Sequence, residues 1–202
     1  MNKKVAVKIT ALIMAVAGVG VFLFSCFGES NGKNELTRLM FSSFTAEGEY
    51  LFEAGDASVA GKLRITRDEN VRLEFLSPDP YTGICVTGDA ADNVSVLSVS
   101  YSGIKADIPK SMLSRLNMML AMFSDTASSA IDGAGKDDFV LCEDDYFTNQ
   151  PNKGSLYEAN FSFGDTECVY IYDSVTGYPL DMRAVNGDVS VQIKINKLKT
   201  VE

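Results

Sequence analysis

The chain predicts an α+β fold that is mostly β: a large curved antiparallel meander with its helices gathered on one side. Three observations carry this. Short runs of alternating apolar and polar residues follow one another along most of the length, turn residues at hairpin spacing separate them, and only two segments show helical spacing. Sequential hairpins build a meander. Alternation gives each strand one buried and one wet face, and two helices are too few to cover both faces of a sheet.

Each element has its own signal. Between Glu35 and Phe44, the residues Leu36, Leu39, Met40 and Phe44 share one face of a short helix. A strand over Glu49–Phe52 follows, closed by Ala54-Gly55-Asp56. Leu63 and Ile65 alternate with Lys62, Arg64 and Thr66, and Asp68-Glu69-Asn70 turns the chain. Val71, Leu73 and Phe75 alternate with Arg72 and Glu74 until the prolines of Ser77-Pro78-Asp79-Pro80 stop the ladder. Ile84–Thr87, Val94–Ser100 and Ile104–Ile108 continue the meander.

The period then changes. Pro109 sits where a first helical residue belongs. Met112, Leu113, Leu116, Met119, Leu120 and Phe123 form a stripe along a helix of about four turns, widened by Met118 and Met122. Ser124–Lys136 is small, polar and glycine-bearing and reads as a loop. Phe139–Cys142 resumes strand character, and Phe147–Ser155 reads as a second loop. Tyr157–Phe163 alternates, Gly164-Asp165 turns it into Cys168–Tyr172, and Ser174–Gly177 turns that into Leu180–Val185. Asn186-Gly187 is a strong hairpin signal, and the last strand, Val189–Ile195, alternates throughout.

Ahead of this domain stands a different kind of segment. Lys3, Lys4 and Lys8 precede an apolar run from Ile9 to Phe24, and Ser25-Cys26 closes it. That is the order of a secretory signal peptide. The run of 16 residues is short of the roughly 20 that an uncleaved membrane-spanning helix needs. A cysteine directly after the small residue resembles the bacterial lipoprotein signal. The resemblance implies diacylation of Cys26 and a chain held at the extracytoplasmic face of the membrane, since two acyl chains anchor stably. The expected division is a signal over residues 1–25, the lipidated Cys26 with a polar tether over 26–34, and one domain over 35–202.

Composition narrows the function. The chain carries a formal charge of −9; without residues 1–25 it loses three lysines and no acid, leaving −12. Such a body is repelled by phosphate backbones, so nucleic acid is not an expected partner. The absence of histidine excludes Ser-His-Asp and Cys-His sites and histidine-ligated metals. No nucleophile elbow or phosphate-binding glycine loop is present. Beyond Cys26, the cysteines Cys85, Cys142 and Cys168 allow at most one disulfide, and buried thiols acting as small hydrophobes are the expected state. Asp137-Asp138 and Glu143-Asp144-Asp145 could attract a metal ion but lack the register of a calcium loop. No catalytic residue, cofactor or metal site is expected.

A family resemblance rests on two stretches. Gly61, Leu63, Ile65, Arg67 and Asp68 form a G-x-L-x-I-x-R-D run leading into Val71–Pro78, and Asp173 to Pro179 reads D-x-x-T-G-x-P. Both resemble the LolA/LolB/LppX group of lipoprotein-sorting and lipid-carrier proteins, across roughly residues 35–198. The resemblance implies an open β-barrel with helices on its concave face. Size and the lipoprotein signal are also similar to the Gram-positive GerS-type germination lipoproteins.

Two functions follow as expectations. The first is binding of a lipid or other hydrophobic ligand, with Met112, Leu116, Met119, Leu120 and Phe123 of the central helix as candidate ligand-binding residues. Methionine-rich surfaces adapt to apolar ligands, although the same stripe would equally pack into its own sheet and leave no cavity. The second is a non-catalytic scaffold for a cell-envelope protein, with Glu143–Phe147 as a candidate contact.

Overall fold

The structure is a computed structural model that describes residues 31–91, 95–142 and 154–201. The signal-like segment, Cys26 and the Glu143–Phe147 run lie outside the described residues. The described chain opens with helix α1 (Lys33–Phe41), followed by β1 (Phe44–Ala54), β2 (Ala57–Arg67), β3 (Asn70–Ser77), β4 (Cys85–Asp89), β5 (Val96–Tyr101) and β6 (Ile104–Pro109). A 3-10 turn at Lys110–Met112 leads to α2 (Ser114–Ala121) and α3 (Asp125–Gly133), and a second at Lys136–Asp138 leads to β7 (Phe139–Leu141). Strands β8 (Leu156–Phe163), β9 (Thr166–Asp173), β10 (Pro179–Asn186) and β11 (Val189–Thr200) complete it.

All eleven strands belong to one antiparallel sheet in the order β6-β5-β4-β3-β2-β1-β11-β10-β9-β8-β7. The sheet does not close: its edges are β6 and β7, and the helical stretch between them joins one edge to the other. This is the open half-barrel expected from the sequence. Two meanders meet where β1 pairs with β11, with Phe44 opposite Thr200. A bulge between Glu47 and Gly48 interrupts that seam. A side chain at Gly48 would sit 2.4 Å from the Lys194 carbonyl oxygen, so only glycine fits.

Alternation works as the sequence implies. Phe44, Leu63, Ile65, Leu73, Leu97, Tyr170, Met182 and Ile193 turn to the concave face and bury against Leu36 and Met40 of α1, Met119 of α2, Met122 and Phe123 beyond it, and Ile131 of α3. Burying side chains of this size contributes about 1.5–3 kcal/mol each.

Two expectations are corrected. The central helix does not begin at Pro109. That residue is still strand, paired with Val96, and its φ of −53° comes with an extended ψ of 136°. Proline has no N–H to offer beyond a sheet edge, so it closes β6 instead of opening a helix. The helix runs only over Ser114–Ala121, and Ser124, with extended ψ, ends the run behind it. The second correction is Ser124–Lys136, which holds a helix instead of a loop. Serines and glycine give it weak intrinsic propensity, but Ala127, Ser128 and Ile131 are buried. Packing against α1 and β8 overrides propensity.

Buried polar groups fix the helices to the sheet. Arg67, at the end of β2, donates from Nε to the Phe123 carbonyl (2.9 Å), from one terminal nitrogen to the Ser42 carbonyl (2.9 Å), and from the other to Asp125. Burial lowers its pKa and the Asp125 carboxylate opposes that. Tyr170 donates to the Met122 carbonyl at 2.6 Å, and Ser128 to the Met40 carbonyl at 3.0 Å. At the β9–β10 turn, Asp173 accepts from the backbone N–H of Val175 and Thr176 and from the Thr176 hydroxyl. Gly177 follows at φ +70°, where a side chain would lie 2.4 Å from the Glu35 backbone. The two motifs behind the family resemblance therefore hold helices in place. Cys85, Cys142 and Cys168 are all free thiols. Burial pushes that of Cys168 up to about 12.

Candidate functional site

The helices cover one end of the concave face and leave the other end open. On β1, Phe44 and Ala46 are fully buried while Phe52 is only partly so. On β2 the same gradient runs from Ile65 and Leu63 to Val59, and on β5 from Leu97 through Val99 to Tyr101, which is 52% exposed. The sequence continues its apolar alternation past the point where the helices stop.

A cleft of about 420 Å3 occupies that open end. Its sheet wall is Tyr50, Phe52, Val59, Phe75, Ile84, Val99 and Ile108; its helix wall is Leu113, Leu116 and Met119, with Arg115 at the rim; Tyr81, from the β3–β4 loop, stands beside them. The volume lies within the range of ligand pockets, as does an apolar lining with few polar groups. Tyr50 and Phe75 meet edge-on with ring centroids 5.4 Å apart. The Tyr50 hydroxyl donates to the Ser77 carbonyl at 3.3 Å. Burial, and secondarily Tyr81, raises its pKa, so it stays a neutral donor near pH 7. No lining group suits acid–base or nucleophilic work, and among the described residues no cluster of three metal-ligating side chains occurs.

The five residues singled out from the sequence separate. Leu116 and Met119 line the cleft. Leu120 and Phe123 are buried in the core, where the Phe123 ring meets Phe44 edge-on at 6.3 Å. Met112 is 74% exposed in the 3-10 turn and lies outside the cleft lining. The sheet wall went unrecognised because its residues carry the same alternation as the core. The available signal was their position, at the strand ends beyond the reach of the helix.

A second depression, of about 460 Å3, lies beside α2 and is bounded by the 3-10 turn, the β8–β9 turn and Asn186. Its lining mixes hydroxyl, amide and charged side chains with the apolar Met118, Ala121, Phe163 and Val189. Asp138, one of the acids considered for a metal, accepts instead from the Gly135 N–H at 2.7 Å. Among the described residues no helix is long and apolar enough to cross a membrane.

No family model and no curated protein matches the chain. Solved structures with similar architecture exist at low identity. A LolA superfamily protein from Nitrosomonas europaea is 13% identical with a TM-score of 0.45, covering 84% of this chain and 91% of that one. A domain from Vibrio parahaemolyticus, described as an outer membrane lipoprotein-sorting protein, is 13% identical with a TM-score of 0.40, covering 85% and 92%. The MucA/MucB complex of Pseudomonas aeruginosa includes a chain 14% identical with a TM-score of 0.43, covering 87% of this chain and 58% of that one.

Proposed function

We propose that the protein binds the acyl portion of a lipid, or a similar hydrophobic ligand, in the cleft between α2 and the open end of the sheet. It does so without catalysis, held at the outer face of the membrane through lipid on Cys26. The observation that carries the reading is the uncovered end of the concave face, where an otherwise well-packed core gives way to a roomy apolar wall. The competing reading is an interaction scaffold for an envelope protein. Tyr101 and Ile104, both exposed at the β5–β6 hairpin, favour it.

The test is uptake of the neutral probe N-phenyl-1-naphthylamine by the full chain in detergent-free buffer. Leu116→Lys puts a charge on the half-buried helix wall, and Val59→Phe fills the cleft from the sheet side. Each is expected to weaken probe binding about tenfold or more, because a buried charge or a lost pocket costs more than 1.4 kcal/mol. Unchanged binding in folded forms of both variants would overturn the proposal and favour the scaffold.

A further inference from the structure

We infer that the ligand is an anionic amphiphile lying astride the first turn of α2, with its tail in the apolar cleft and its phosphate at the hydroxyl- and amide-bearing side of the adjoining depression, on the Arg115 guanidinium. This rests on the reading above and names the class of ligand.

The geometry begins with Arg115, the residue common to the two depressions. On one side of it the lining is apolar; on the other Ser111, Ser114, Asn117 and Thr126 offer hydroxyl and amide groups. The guanidinium lies 5.7 Å from the centroid of the Phe52 ring. A ring at that distance favours the cation and orients it. Among the described residues no carboxylate forms an ion pair with Arg115, whereas Arg64 pairs with both Glu47 and Glu74 and Arg67 pairs with Asp125.

Charge points the same way. In a chain of net charge −9, Arg115 brings to the depression a cation with no ion-paired carboxylate among the described residues. An anion is therefore drawn to this place and repelled from most of the remaining surface. Guanidinium matches a phosphate with paired N–H donors. The depression, at about 460 Å3, is far larger than a bare carboxylate needs, so a phosphodiester with its polar substituent suits it better than a free fatty acid.

The experiment uses soluble short-chain lipids and isothermal titration of the full chain. Dihexanoyl phosphatidylglycerol is expected to bind about tenfold more tightly than dihexanoylglycerol, the size of one charge-assisted hydrogen bond. Arg115→Gln should bring that ratio close to one, while Arg115→Lys retains most of it. Lys62→Gln, on the other face of the sheet, should leave it unchanged. Equal affinity for the two lipids, with the neutral probe still bound, would overturn this inference and spare the function proposed above. So would hexanoate binding as tightly as the phospholipid, or glycerol phosphate binding as tightly without a tail. Loss of every apolar ligand, the neutral probe included, would overturn both.

Discussion

Replacing Arg67 by methionine should cost the fold about 4 kcal/mol. Methionine keeps much of the stem volume and removes the guanidinium. A buried acceptor, the carbonyl of Phe123, and a half-buried one, that of Ser42, then lose their donors. Each such orphan costs about 1–3 kcal/mol. The Asp125 side chain is 42% exposed, so it returns to water and adds about 1 kcal/mol or less. Against a typical stability of about 5–15 kcal/mol this is a large fraction. In urea, with a slope of about 2 kcal/mol per molar, the midpoint should fall by about 2 M. Asp125→Asn should cost less, because the two carbonyls keep their donor. A fall under about 0.5 M for Arg67→Met, at unchanged slope, would refute the idea that Arg67 secures the helices to the sheet.

Two further outcomes follow from buried groups and from backbone shape. Burial raises the Cys168 thiol to about 12 and lifts the phenols of Tyr50, Tyr170 and Tyr172 above their ordinary value. These groups are neutral when protonated, and the unfolded chain releases their protons at lower pH than the folded one. Stability is then fully present below about pH 9 and declines as pH rises toward about 12. The urea midpoint should drop across that window, with phenolate absorbance at about 295 nm rising together with unfolding; a midpoint indifferent to pH up to about 11 would contradict this. Gly177→Ala should lower the midpoint more than Gly55→Ala. Both glycines have positive φ, but a side chain at Gly177 meets the α1 backbone at 2.4 Å, while that at Gly55 meets nothing within 4 Å. The αL conformation alone costs about 1–2 kcal/mol, and a equal loss at both sites would show that α1 moves aside freely.

The strands were legible because alternation and turn chemistry agree at nearly every step. Val71–Phe75 and Val189–Ile195, for example, fall inside β3 and β11. Helical detail was less legible. Pro109 offers the same local signal at the end of an edge strand as at the start of a helix, and pairing with Val96 decides between them. The helix over Asp125–Gly133 is made by what Ile131 and Ser128 meet in three dimensions, which no spacing reveals. The candidate cleft was legible only from its helix side. Leu120 and Leu116 belong to one stripe, yet one points into the core and the other lines the cleft, a difference set by how far α2 reaches along the sheet. Arg115 stood on the polar face and gave no signal of its own.

The pairing of β1 with β11 gives the chain an unusual order of assembly. Most strands find their neighbour one turn away, but the middle of the sheet waits for residues more than a hundred positions apart, as with Phe44 and Thr200. A chain emerging from its N-terminus delivers the first of these early and its mate last. Until the 12 residues of Val189–Thr200 arrive, the growing molecule is two incomplete ribbons, each exposing a fresh edge. Contacts of such long range slow folding. Truncation at the C-terminus would thus divide the sheet at its centre, leaving two aggregation-prone halves where loss of an outer strand would merely fray a border.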